Sequence, residues 1–250
     1  MVSLIGLEDL PEVRPGDDLA ALLQSSLRQT GLPAAPGDAV IAICQKVVSK
    51  AEGQLAALAR IRPAGAVRAW AEGHARDPRE VQAVLAEARR VVRAERGVLI
   101  TETHHGFVCA NSGVDRSNAP PGRLCLLPRD PDASARRLAQ ALGEGSGENV
   151  GVIVTDTWGR PFRLGAVGVA IGVHGVPALL DLRGETDAAG RPLASTRIAL
   201  ADEIAAAADL VMGKLQRIPA VLVRGLPGFE ASAGASGKDL LRDRGEDFFR

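Results

Sequence analysis

Two short apolar runs, each giving way to a polar stretch that carries an aspartate, constrain this chain more than any other feature. The runs are Gly97-Val-Leu-Ile-Thr101 and Val150-Gly-Val-Ile-Val-Thr155, and both read as buried strands. They lead into Glu102-Thr-His-His-Gly-Phe-Val-Cys-Ala-Asn-Ser-Gly-Val-Asp-Arg-Ser-Asn118 and Thr155-Asp-Thr-Trp-Gly-Arg-Pro-Phe-Arg163. Open α/β sheets put their ligand chemistry just beyond strand ends. Asp115 and Asp156 are therefore candidates for a shared metal site.

The rest of the pattern interleaves helices with strands. Asp17 or Asp18 can cap a helix that ends near Gly31, and Asp38-Ala-Val-Ile-Ala-Ile-Cys44 reads as a strand running into a polar segment, 45–53. A helix begins after Asp77-Pro78, with a stripe of Val81, Val84, Leu85, Ala88, Val91 and Val92. Its arginines Arg89, Arg90 and Arg93 would form a solvated face. Gly106–Ala110 is a hairpin partner for the strand near residue 98, and a helix is expected over 132–142, followed by a flexible link over 143–148. Residues 165–182 read as two short strands around a His174-Gly175 turn, 196–215 as a long alanine-rich helix and 219–224 as the last strand. The tail, 232–250, reads as a short helix with a mobile end. Hairpins among the helices favour a mixed α/β (α+β) protein, with mixed sheets and flanking helices, over a purely parallel one.

Composition excludes several classes. Thirty basic residues balance thirty acidic ones and aromatics make up only 3%, so neither a polyanion footprint nor a base-stacking surface is expected, and nucleic acid is not a partner. No apolar run approaches the ~20 residues that span a bilayer, so no membrane association is expected. The N-terminus lacks the pattern of a signal peptide, which points to the cytoplasm. Cys44, Cys109 and Cys125 have no CxxC spacing; Cys44 and Cys109 lie in apolar runs and read as small hydrophobes.

Phosphate-loop motifs fail on inspection. Gly213-Lys214 and Gly237-Lys238 lack the upstream glycine and the following Ser or Thr. Gly165-Ala-Val-Gly-Val-Ala-Ile-Gly172 has no helix pattern after it, so its glycines read as close-packed strand positions. His104 and His105, adjacent on a strand, would face opposite ways and cannot easily ligate one ion; one of them, with His105 the candidate, can serve a polar cleft as hydrogen bonder or acid/base. Asp115 and Asp156, amid Gly, Asn, Ser and Thr, suit the oxygen-rich coordination that Mg²⁺ or Mn²⁺ shares with phosphates. Lys50, Arg160 and Arg163 then read as clamps for anionic groups.

Longer strings carry a resemblance. Val48-Ser-Lys-Ala-Glu-Gly53, the stretch from His105 to Asn118, Val154-Thr-Asp-Thr-Trp-Gly-Arg-Pro-Phe-Arg163, Gly168–Gly172, Ala201-Asp-Glu-Ile-Ala205 and Val221–Gly225 together resemble the coenzyme F420:L-glutamate ligase (F420-0:gamma-glutamyl ligase) family, over about Leu10 to Gly225. The resemblance implies a GTP-dependent ligase that joins L-glutamate to the carboxylate of the F420 precursor and then adds gamma-linked glutamates, through an acyl phosphate. It implies Mg²⁺ or Mn²⁺ and K⁺ as cofactors, a fold like that of the family and an intertwined homodimer. It treats 1–250 as one family unit, in which two structural lobes remain open, without the C-terminal reductase domain of some bacterial relatives.

Carried onto this chain, the resemblance implies that guanine nucleotide meets Leu10, Pro11, Glu12 and Val13, the Gln45-Lys46 pair, Lys50 and Asn118. The segment from Met212 through Gly213 and Lys214 would close over it. Asp115 and Asp156 would hold one metal and Thr157 a second; Arg160, Arg163 and His105 are the candidates for catalytic roles. Lys214 departs from the amide side chain expected of archaeal members, and a charged ammonium cannot ligate a metal. The alternative reading is a non-catalytic relative that binds deazaflavin or nucleotide.

Overall fold

The computed structural model describes residues 1–31, 39–146, 150–226, 232 and 234–247. Strand β1 (Ser3–Gly6) precedes helix α1 (Leu19–Gln29), whose N-cap Asp18 accepts the Ala21 N–H at 3.0 Å. Next come β2 (Val40–Cys44), α2 (Gln45–Ala51), β3 (Leu55–Ala57), α3 (Gly65–Gly73), α4 (Pro78–Glu87), β4 (Ala88–Glu95), β5 (Val98–Thr103), β6 (Val108–Ala110) and β7 (Arg123–Cys125). The second half runs α5 (Pro131–Ser146), β8 (Gly151–Arg160), β9 (Arg163–His174), β10 (Leu180–Asp181), β11 (Arg197–Ile198), α6 (Leu200–Met212) and β12 (Ala220–Arg224).

The central sheet has the order β1-β12-β2-β8-β9; β2 and β8 are parallel and the other pairs antiparallel. Mixed α/β architecture is therefore the observed class. Helices cover both faces, which is why β2 and the first half of β8 read as unbroken apolar runs rather than alternating ones. Ile41 and Ile43 of β2 pack with Val152 and Val154 against Leu19 and Leu23 of α1 and Leu138 and Leu142 of α5. Val40, Ala42 and Ile153 face the other way, onto Ala201, Ile204, Ala205 and Ala208 of α6. Each fully buried Val or Ile there contributes about 1.5–3 kcal/mol.

The glycines of 165–172 are close-packed, as read from the sequence. A register shift between Val154 and Thr155 on β8 leaves an extra residue on β9, turning Gly168 and Gly172 to opposite faces. A Cβ on Gly168 would lie 2.5 Å from the Ala205 carbonyl of α6, and one on Gly172 would lie 2.3 Å from the Pro131 carbonyl at the start of α5. Two carboxylates serve the outward amides of β9: Asp202 accepts the Ala170 N–H at 2.8 Å and Asp132 the Val173 N–H at 2.9 Å.

Smaller sheets, β3-β7, β4-β5-β6 and β10-β11, pack around this core. The expected hairpin of β5 with β6 is present. Several sequence expectations need correction. The helix after Pro78 stops at Glu87, and Ala88–Glu95 is a strand that pairs with β5, with Val91 opposite Thr101 and Val92 left at a register shift. Burial alternates along 88–93, but Arg90 takes a half-buried position and Val91 an exposed one, so the apolar residues alone are spaced like a helical stripe. Arg89, Arg90 and Arg93 are thus on a strand, and Arg90 is no solvated surface group: it donates to Glu102 at 2.7 Å.

The polar stretch after Thr155 is not a loop. β8 continues through it to Arg160 and turns into β9, longer than expected but ending at His174 as read, with the short β10 beyond the turn at Gly175. Residues 45–51 form helix α2, α5 runs to Ser146 through the first part of the expected link, and α6 is confined to Leu200–Met212. The tail carries 3₁₀ turns at Gly237–Leu240 and Arg244–Glu246 rather than a helix. Asp38, Gly147, Glu148 and the last three residues lie outside the described residues.

Candidate active site

The parallel ladder between β2 and β8 ends at the pair Cys44 and Thr155. Immediately beyond it the chain opens a cavity of about 450 Å³, within the range of small-ligand sites. β8 carries Thr155, Asp156 and Thr157 into its wall, and α2, starting directly from β2, adds Lys46 and Lys50. These lysines stand four residues apart on one helix face and are nearly buried.

Asp115 reaches the same cavity through an unusual turn. Asn111, Ser112 and Gly113 have φ of 54°, 53° and 69°, three consecutive left-handed residues, which side-chain-bearing residues enter at a cost. Buried hydroxyls hold the turn. Thr101 Oγ1 accepts the Ser112 N–H at 2.9 Å, Ser112 Oγ donates to the Val84 carbonyl at 2.8 Å, and Arg76 donates to Asn111 Oδ1 at 3.0 Å. Asp115 then makes an isolated backbone bridge to Cys125, which fixes where its side chain starts.

The two carboxylates have different surroundings. Lys46 Nζ sits 2.5 Å from Asp115 Oδ2, and Ser117 donates to both Asp115 oxygens, through its N–H at 2.7 Å and its hydroxyl at 2.8 Å. Burial pulls the Asp115 carboxyl up, but these hydrogen bonds and the Lys46 charge outweigh it and hold the pKa below the usual value. Among the described residues Asp156 receives neutral donors, the Thr157 N–H on Oδ1 at 2.9 Å and the Trp158 Nε1–H on Oδ2 at 2.7 Å. Burial dominates there and raises its pKa. A buried carboxylate with neutral donors only is a place a cation complements.

Among the described residues no three His, Cys, Asp or Glu side chains gather to cage a metal. Asp115, Asp156 and Thr157 supply a partial oxygen set, which fits a divalent cation that takes its remaining ligands from water and phosphate. The cations around the cavity, Lys46, Lys50, Lys214 and Arg217, suit an anionic ligand of high charge.

The structure brings together most of the residues named from sequence. Leu10, Pro11, Glu12, Val13, Lys46, Lys50 and Asn118 line the cavity, as do Met212, Gly213 and Lys214 with Asp115, Asp156 and Thr157. Glu12 pairs with Lys50 at 2.5 Å. Gln45 is fully buried beneath the wall, its Oε1 accepting from Ser49 Oγ at 2.9 Å. Arg160 and Arg163 stand at the exposed tip of the β8–β9 hairpin and do not line the cavity. Nor does His105: its Nε2 lies 2.9 Å and 3.1 Å from the Pro128 and Arg129 carbonyls, and its ring stacks on Phe107.

Asp209 and Arg217 line the cavity without having been singled out. Asp209 precedes Met212 by three residues on α6, so the helical repeat was a usable signal once Met212 was chosen; Arg217 has no comparable local signature. Cys44 also faces the cavity, while Cys109 and Cys125 are buried, their thiols pushed up by burial to about 12 and about 11. Burial pushes the Cys44 thiol up as well, which disfavours its thiolate.

Site and fold define a mixed α/β protein in which two carboxylates and several cationic side chains meet in one cavity at the end of a parallel strand pair. The sequence profile of F420-0:gamma-glutamyl ligase matches residues 8–225. Proteins called coenzyme F420:L-glutamate ligase are similar throughout: that of Methanothermobacter thermautotrophicus is 46% identical over 250 residues, covering 100% of this chain and 99% of its own. That of Methanopyrus kandleri is 50% identical over 242 residues, covering 96% and 94%, and that of Methanocaldococcus jannaschii 42% identical over 250 residues, covering 100% and 97%. The chain belongs to the F420-0:gamma-glutamyl ligase family.

Proposed function

We propose that this protein is a GTP-dependent ligase that joins L-glutamate to the carboxylate of the F420 precursor and then extends it through gamma linkages. The observation that carries the reading is the meeting of Asp115, Asp156 and Thr157 with Lys46, Lys50, Lys214 and Arg217 in one cavity; the names of the relatives supply the substrates.

A carboxylate does not acylate an amine unaided. In the proposed course, a carboxylate oxygen of the precursor attacks the terminal phosphorus of GTP and GDP leaves, giving an acyl phosphate. The amine of glutamate then attacks the acyl carbon, the C–N bond forms as phosphate departs, and the amine releases a proton. Such transfers depend on positioning and charge neutralisation more than on a protein nucleophile. Asp115, Asp156 and Thr157 would hold Mg²⁺ or Mn²⁺, which when bound neutralises phosphate charge; K⁺ belongs to the same reading. Lys46 and Lys50 offset the charge of the phosphates. Lys214, an ammonium rather than a metal ligand, contacts phosphate in this scheme. Arg160 and Arg163 reach the chemistry only if the hairpin tip folds toward the cavity, and a homodimer is the setting in which we place it.

The test is mass spectrometry of the F420 precursor incubated with the protein, GTP, Mn²⁺ and L-glutamate. GTP-dependent gains of one or more glutamyl masses support the reading. GTP binding without any gain overturns it in favour of a non-catalytic relative, the option that Lys214 raises.

A further inference from the structure

Asp156 is held from outside the cavity. On β8, Asp156 and Trp158 lie two residues apart and share a face of the strand. The indole N–H of Trp158 donates to Asp156 Oδ2 at 2.7 Å while the Thr157 N–H donates to Oδ1 at 2.9 Å. Each carboxylate oxygen thus has one protein donor and keeps lone-pair capacity for a cation. The indole is fixed in turn: Phe107, 2% exposed, meets it edge-to-face at 5.4 Å, and His105 stacks on Phe107 at 5.6 Å. His105 is tied to the Pro128 and Arg129 carbonyls. Three rings therefore run from a backbone anchor to one carboxylate, and this is where the structure uses His105.

We propose that Trp158 is the positioning residue of the cation site, its indole N–H setting the orientation in which Asp156 meets a divalent metal. The proposal rests on the reading of Asp115, Asp156 and Thr157 as metal-holding residues. Partners that orient a ligating group typically contribute ten- to hundredfold to metal affinity, and Trp158 touches the ligating carboxylate directly. It is also one of only two tryptophans; the other, Trp70, stacks on His74 in the α3 region. Changing Trp70 to Phe would leave Trp158 as the single indole, reporting from the site itself.

The experiment is equilibrium Mn²⁺ binding in the presence of GDP, followed by the electron paramagnetic resonance of free Mn²⁺, for the native protein and Trp158→Phe. The Phe variant keeps the ring contact with Phe107 and removes the donor. Its Mn²⁺ affinity should fall about tenfold or more while its affinity for GDP alone stays unchanged, a split that a general loss of structure would not produce. In parallel, Mg²⁺ with GDP should shift the emission of Trp70→Phe, a measurement that stands even if Trp158→Phe folds poorly. Equal Mn²⁺ affinity in the native protein and Trp158→Phe, or an emission that Mg²⁺ leaves unmoved while Mn²⁺ binds, overturns the role of Trp158. If the native protein itself binds no Mn²⁺, the cation-site reading fails first and takes this proposal with it.

Discussion

At the scale of single residues, the position of Asp115 depends on backbone two residues upstream. Gly113 has a φ of 69°, and a Cβ there would lie 2.7 Å from the buried Leu127 side chain. Gly113→Ala is predicted to destabilise the protein by about 1–3 kcal/mol, combining left-handed strain with overpacking. It should also weaken Mn²⁺ binding beyond that, because the turn that aims Asp115 must shift; denaturant unfolding and Mn²⁺ titration check the two effects separately. Asp115 and Asp156 were legible in the sequence because polar residues amid apolar strands stand out. The ring train was not: stacking among His105, Phe107 and Trp158 joins two hairpins, and no local spacing encodes it. The same holds for Arg217, which reaches the cavity only through the path of the chain after α6.

The elements show where local pattern misleads. The stripe from Val81 to Val92 looked helical as far as Val92, yet tertiary pairing with β5 takes over at Ala88, and an inward Arg90 beside an outward Val91 hides the alternation that would have announced a strand. Glu102 joins this ribbon to the fold. Burial pulls its carboxyl up, but the hydrogen bond and charge of Arg90, with Arg89 and Arg244 nearby, outweigh burial and depress its pKa. A depressed carboxylate contributes stability that is present above its unfolded pKa and lost as pH falls through the folded value. Glu102→Gln should therefore lower the unfolding midpoint at neutral pH, and the gap from the native protein should close as pH is lowered through that range. Denaturant titrations at a series of pH values would show it; a gap independent of pH would mean that the charge is not what stabilises the ribbon. The strand glycines give the converse case, in which sequence reasoning succeeded. Gly172→Ala would drive a methyl into the Pro131 carbonyl and should cost about 1–3 kcal/mol or more in thermal or denaturant unfolding.

For the molecule as a whole, the single parallel pair in an otherwise antiparallel sheet matters most. It places the ends of β2 and β8 side by side, so that α2 and the continuation of β8 deliver opposite charges to one cavity. Ligands that bind only the folded form should stabilise all of it: on the proposed function, Mg²⁺ with GTP at a hundred times its dissociation constant would add about 2.7 kcal/mol. Asp156→Ala is predicted to keep a cooperative unfolding transition, to lose that ligand-induced rise in melting temperature and to lower metal-dependent GTP turnover by more than about a hundredfold. Calorimetry and a phosphate-release assay check both. A normal rise in the variant would move the cation elsewhere.

The carboxylates of Asp202 and Asp132 on β9 have a consequence for behaviour in crowded solution. β9 closes one side of the sheet, and an open strand is a template on which foreign chains can polymerise. Here the Ala170 and Val173 amides already have acceptors, from α6 and from α5, and each acceptor sits on a helix that also packs against the strand. Solubility is thereby tied to helix docking. A lesion that merely loosens α5 or α6 would unmask sticky backbone, and such variants should be lost to precipitation before they are lost to unfolding.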